Sequence, residues 1–268
     1  MKLFFTAIML LTINAGRAQE LFVFTEPASN MAAKSIGIRL NNYLMKDNST
    51  NKINYHLLPE LMWGVSKNIM AHAEAFLSNR DNRFVYEGAG VYMKYRFYSV
   101  DEVHNHFRIA VFGRYSFNNS DIHQEAIDLN GHNSGYEGGL VATKLIKKVA
   151  FSSSISALHA TDNVKEKFIY GDKKRNAVNY TLSVGKLMLP KDYTNYNQTN
   201  VNLMVEMLGQ TNVNSAHSFL DVAPSIQFIF LSRMRLDAAY RIPLVTNLSR
   251  TAPGGFFLRL EYNIFNAY

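Results

Sequence analysis

From Lys34 to Phe265 the chain repeats one pattern: runs of about ten residues in which apolar and polar side chains alternate, each closed by a polar turn. Side chains on a β-strand point to opposite faces in turn, so a strict period of two predicts strands with one apolar face. Twelve segments follow: Lys34–Met45, Ile53–Val65, Ile69–Ser78, Phe84–Tyr98, His106–Phe117, Ser134–Ile146, Val149–His159, Ala177–Leu189, Asn200–Gln210, Phe219–Leu231, Met234–Leu244 and Gly255–Phe265. In the fourth, Val91, Met93, Tyr95 and Phe97 alternate with Tyr92, Lys94 and Arg96. In the eighth, Val178, Tyr180, Leu182 and Val184 alternate with Asn179, Thr181 and Ser183.

Alternation alone does not say which face is inside. A soluble sandwich buries the apolar face, whereas a membrane barrel turns it to lipid and keeps a polar lumen. Three features favour the barrel. The first is the N-terminus, where Lys2 precedes the apolar run Leu3–Ile13 and the small residues Ala15, Gly16 and Ala18. That pattern predicts a signal peptide over residues 1–18, with cleavage after Gln19 as the neighbouring alternative. The second is an even number of strands of membrane-spanning length, with no apolar run after Ile13 long enough for a transmembrane helix. The third is the connections. With the mature N-terminus periplasmic, the longest ones, Asn118–Asn133 and Ala160–Asn176, fall outside, while Ser66–Asn68, Lys147–Lys148 and Ser232–Arg233 form short periplasmic turns. Long outer loops and short inner turns are how such barrels are built.

The expected organisation is a signal peptide (1–18), a periplasmic N-terminal segment (19–33) and an all-β transmembrane antiparallel barrel (34–268). Pro27 keeps Thr25–Met31 from regular strand pairing, so this stretch reads as a linker before the first strand, with a plug as the other option.

The ending FFLRLEYNIFNAY (Phe256–Tyr268) resembles the terminal strand of outer-membrane β-barrel proteins, with Leu258, Leu260, Tyr262 and Ile264 toward lipid and an aromatic final residue, here Tyr268 rather than the commoner Phe. The stretch LFVFTEPASNMAAKSIGIRL (Leu21–Leu40) resembles the start of a group of Bacteroidetes-type barrel proteins described as outer-membrane or transporter-like. The resemblance implies the outer membrane of a Gram-negative bacterium. It implies as partners the outer-membrane lipids and the barrel-assembly machinery, which reads the C-terminal strand.

Candidate chemistry lies on the polar faces. Arg39, Glu60, Glu74, Lys94, Arg96, Arg108, Arg114, Asp237, Arg259 and Glu261 are the expected lumen-lining charges, with Arg235 and Arg241 beside them near the closure. Charges in a narrow lumen must be paired or hydrated, so they read as a salt-bridge network, with an anion-favouring pore lining as the functional alternative. A three-residue turn at Ser66–Asn68 sets Met62 opposite His72 and Glu60 opposite Glu74, near His56 and Met70. Thioether, imidazole and carboxylate there could hold a transition metal. His132-Asn133-Ser134-Gly135 resembles the His-x-Ser element of outer-membrane lipid hydrolases, with Ser134 as nucleophile and His132 as base.

With 0 Cys there is no disulfide framework or thiolate metal site. The formal charge of +7 falls to +5 once Lys2 and Arg17 are set aside, and the basic residues form no run, which argues against nucleic acid. No cofactor is implied. The expected function is a narrow or closed, non-enzymatic channel or transporter-like barrel for small solutes or ions, the solute unspecified. Lipid hydrolysis and metal binding are the alternatives.

Overall fold

The computed structural model describes residues 22–47, 51–79, 83–102, 105–192 and 197–268. The expected signal peptide lies outside them. The strands are β1 (Ser35–Lys46), β2 (Ile53–Gly64), β3 (Ile69–Ser78), β4 (Val85–Glu102), β5 (Asn105–Asn118), β6 (Gly135–Ile146), β7 (Val149–Ala160), β8 (Asn176–Leu189), β9 (Asn200–Asn212), β10 (Ser218–Phe230), β11 (Met234–Thr246) and β12 (Gly254–Ile264). Each pairs antiparallel with its sequence neighbours. β12 returns to β1, from Ile36 opposite Ile264 to Lys46 opposite Gly254, and closes a twelve-strand barrel. Among the described residues no helix is long and apolar enough to cross a membrane.

Predicted and observed strand ends agree within two residues, except that β4 runs on to Glu102 where Tyr98 was expected. The register slips between Arg96 and Tyr98, and Asp101 then meets Arg108 of β5 at 2.7 Å. That ion pair holds a stretch of polar residues in the ladder that composition alone assigns to a turn.

The exposure pattern settles the ambiguity of the alternation. Arg39, Glu60 and Asp237 are buried, at 5, 8 and 0 % exposure, whereas Met93, Ile155 and Phe256 are 60, 58 and 60 % exposed. Charge is inside and hydrocarbon outside. Water would oppose so continuous an apolar exterior, and lipid favours it. Toward the long-loop end the outer face carries aromatic cross-strand pairs, Tyr115 with Tyr136 and Tyr240 with Phe256, at centroid distances of 5.2 and 4.7 Å.

Both ends of the lumen hold chain. At the short-turn end, residues 22–34 enter beside Gly64, whose missing side chain leaves room for the Ala32 carbonyl: a Cβ there would sit 1.9 Å from that oxygen. At the other end the long loops pack on one another. Ile122, Ile127, Leu129 and Phe168 form an apolar cluster with Leu158, Ala160 and Ala177, and Ala126 packs with Phe219 and Leu248.

The outward face should behave as a lipid face. Ile155→Arg, at the centre of β7, should cost about 2–4 kcal/mol in reversible unfolding from bilayers; a change within experimental error would argue that this surface faces water.

Candidate functional site

The lumen charges follow from register. Arg39 stands opposite Glu60 on β2 and Glu261 on β12, Glu60 opposite Glu74 on β3, and Glu261 opposite Arg235 on β11. One cross-strand row therefore runs Glu74, Glu60, Arg39, Glu261, Arg235 through the seam of the barrel. Arg39 donates to Glu261 at 2.9 Å and to Glu60 at 3.1 Å, and Arg235 lies 2.7 Å from Asp237 and 3.5 Å from Glu261. Arg259 donates to Asn41 at 2.7 Å and approaches Asp237 at 3.7 Å. Opposite charges alternate along most of the row, as buried ions require.

Thr25–Met31, read from sequence as a linker, instead crosses the lumen as a plug. Pro27 does bar it from the sheet, but side chains of the barrel replace the ladder. Glu206, fully buried on β9, accepts from three successive backbone N–H groups, those of Val23 (2.7 Å), Phe24 (3.0 Å) and Thr25 (2.8 Å). Arg235 and Arg259 donate to the Phe22 and Val23 carbonyls at 2.6 Å each. Lys94, also fully buried, donates to the carbonyls of Pro27 and Ser29; Arg108 donates to the Ser29 hydroxyl at 2.7 Å, and the Ala28 N–H to Thr143 at 2.9 Å. Glu26 lies 3.5 Å from Arg39 and 3.7 Å from Lys94. Phe22 and Val23 pack into Leu145, Ala150, Met204, Ala239 and Phe257. Backbone polar groups in an interior need partners, and this segment finds them almost wholly in side chains.

The remaining sequence candidates have definite places. Arg96 donates to the Lys67 carbonyl at the β2–β3 turn, 2.7 Å away. Arg114 lies between Glu74 (3.5 Å) and Glu137 (3.7 Å), over the Tyr92 ring. Met62 does pair with His72, and Glu60 with Glu74. Yet Met62 packs in a methionine cluster with Met31 and Met70, and the His72 ring meets Glu60. Among the described residues no three His, Asp or Glu side chains converge as metal ligands. His132 and Ser134 do not form a base–nucleophile pair. The Ser134 hydroxyl accepts from the Asn118 N–H at 2.8 Å and donates to the Asn118 carbonyl, while the His132 ring lies tilted against that of His56 at 4.9 Å. Both anchor a loop to the rim.

Between plug and loops lies a cavity of about 270 Å³. Its floor is Phe24, Thr25 and Glu26, and its roof comes from residues 124–132 and 250–253. Around the wall stand Tyr43, Tyr92, Phe112, Arg114, Asn179 and Arg241, among others. Sequence reasoning missed Glu206, Asp221 and Arg250. The position of Glu206, a single carboxylate facing inward between Met204 and Leu208, was the available signal.

The roof is tied down by Glu125, which is buried and meets Lys174 at 2.9 Å and His217 at 3.0 Å. Burial pushes its carboxyl up, but these two partners outweigh that and hold it below the usual carboxylate range.

Comparison with known proteins bears on the fold. No protein-family model and no curated protein matches the chain. Among solved structures, an outer-membrane channel from Pseudomonas putida F1 is similar with a TM-score of 0.56 at 12 % identity, over 90 % of this chain and 99 % of that one. The outer-membrane protein OprD from Pseudomonas aeruginosa gives a TM-score of 0.42 at 8 % identity, over 91 % of this chain and 97 % of that one, too low to bear on this fold. The first likeness supports the barrel architecture.

Two outcomes follow. Glu206→Gln sets an amide N–H₂ against one of three backbone donors; losing a charge-assisted buried contact should weaken docking of the plug by about 1–3 kcal/mol, so amide exchange at Val23–Thr25 should speed up roughly tenfold or more. Because the folded pKa of Glu125 is depressed, the stability it lends is full above the ordinary carboxylate pKa of about 4.3 and is lost as pH falls through the lowered folded value. Exchange at Glu125 and Ala126, corrected for intrinsic rate, should rise on acidification in that range, and Glu125→Gln should remove this pH dependence.

Proposed function

We propose that the chain is a non-enzymatic outer-membrane channel of a Gram-negative bacterium, held narrow or closed by its N-terminal segment and passing small polar solutes or ions. The observation that carries this is the way residues 22–31 fill the lumen. They are joined to the barrel wall by hydrogen bonds and ion pairs, above all at Glu206 and Lys94, and the lumen around them is polar. A polar lumen closed by a non-covalent crossing segment is a path that can open; a barrel serving only as a scaffold has no need of one. The fold likeness to a bacterial outer-membrane channel is consistent with this location, as are the aromatic C-terminal ending and the export signal expected over residues 1–18. The Bacteroidetes-type origin, the outer-membrane lipids and the assembly machinery as partners belong to the same reading. The engagement of Ser134 by Asn118 speaks against the hydrolase alternative, and that of His72 by Glu60 against the metal-binding one.

In planar bilayers the intact protein should give small or infrequent current steps, and Lys94→Ala combined with Glu206→Gln should raise mean conductance several-fold. Indistinguishable currents from the two proteins would sink the gating role of the segment; the absence of current from both would sink the channel.

A further inference from the structure

The charges around the cavity do not cancel evenly from side to side. Asp221, fully buried on β10, is shared by two guanidinium groups. Arg250 binds it through both terminal nitrogens at 2.6 and 2.9 Å, and Arg241 through Nε at 2.6 Å. Two cations on one carboxylate leave a positive excess at the β10–β11 wall. Both guanidinium groups lie over the Phe219 ring, at 4.0 Å for Arg250 and 5.4 Å for Arg241. Neither terminal nitrogen of Arg241 has a hydrogen bond within the described protein, and both Arg241 and Arg250 line the cavity.

The opposite wall has the reverse balance. β5 stands six strands from β11 in the ring of twelve. There Arg114 is a single cation between Glu74 and Glu137, at the long distances of 3.5 and 3.7 Å. Asp128, in the roof on the His56 side, adds a carboxylate whose nearest basic group is His132 at 3.7 Å. Glu26 in the floor does not upset the balance, since Arg39 and Lys94 flank it. The cavity therefore has a cationic wall and an anionic wall. The aromatic rings of Phe24, Tyr92 and Phe112 and the amide of Asn179 complete its lining.

We infer that the cavity is a binding site for a short peptide or a similar zwitterion, its carboxylate on Arg241 and Arg250 and its ammonium toward Glu137. A plain anion would meet the Glu137 side unfavourably, and a plain cation the Arg241 side. A zwitterion with adjacent charges would reach only one wall. Two extended residues span about 7 Å, which separates the end charges on the scale of a cavity this size, and an apolar side chain can lie against the rings. The inference rests on the channel reading for its purpose, because it names the solute class for that path, but it is tested without a membrane.

The test is calorimetric titration of the full chain in detergent with glycylphenylalanine, its N-acetyl form and its C-terminal amide. The free dipeptide should bind about tenfold or more tightly than either blocked form, as expected for losing one charged contact. Arg241→Gln should weaken the dipeptide and the acetyl form but not the amide; Glu137→Gln should weaken the dipeptide and the amide but not the acetyl form. Heat-modifiable migration on a gel confirms that each variant is folded, and Arg241→Lys, which keeps the charge, should restore part of the affinity if Arg241→Gln does not fold. Equal affinity for all three compounds, or no binding by tens of millimolar, overturns the inference. A barrel that carries no current but gives the crossed pattern refutes the channel and leaves the site standing; a conducting barrel without the pattern does the opposite.

Discussion

An ion removed from water must find an opposite charge or several dipoles, and the rest of this fold is arranged around that need. Arg39 meets it from both sides, through Glu60 on β2 and Glu261 on β12. β1 and β12 are the two ends of the sheet, so the same contact fixes how the sheet closes. A slip of one residue at the seam would turn Arg39 toward lipid and leave two carboxylates without it. The electrostatic row thus adds register to what the apolar exterior cannot specify, since lipid accepts any apolar side chain at any height.

The two closures of the lumen use different chemistry. The plug is held by ions and dipoles, with Glu206, Arg259 and Lys94 gripping main chain. The loop roof combines apolar packing among Ile122, Ile127, Leu129 and Phe168 with polar ties at Glu125, at Gln210 and at the Arg250–Asp221 pair. Salt and pH therefore act on the two closures unequally. Acid acts on the roof through Glu125, whereas the plug is gripped by several ions, among which Glu206 alone holds three backbone N–H groups.

Much of this was legible in the sequence, because strand period and turn composition are local properties. Ile69–Ser78 was delimited to the residue, and the pairing of Met62 with His72 followed from the length of one turn. What stayed hidden depends on contacts between distant parts. Glu206 is one acid among amides and apolar residues until Val23–Thr25 are laid against it. Pro27 told only that the segment leaves the sheet, not that the lumen would supply its hydrogen bonds. The end of β4 turned on an ion pair across the β4–β5 hairpin, where the polar residues between Asp101 and Arg108 read as a turn until the register slip at Arg96 is known. His132 and Ser134 were misleading for the same reason, since a short motif does not reveal that a backbone already occupies the hydroxyl.

The plug precedes β1 in the chain, yet the partners of Phe22–Thr25 come late. Val23 bonds to a side chain 183 residues onward and to another 236 residues onward. Those groups stand in place only once β9 and β12 have joined the wall. Docking of Phe22–Thr25 is therefore complete only when the last strand is in the wall. The residues that close the cylinder at β1 and β12 thus also complete the seat for the start of the plug.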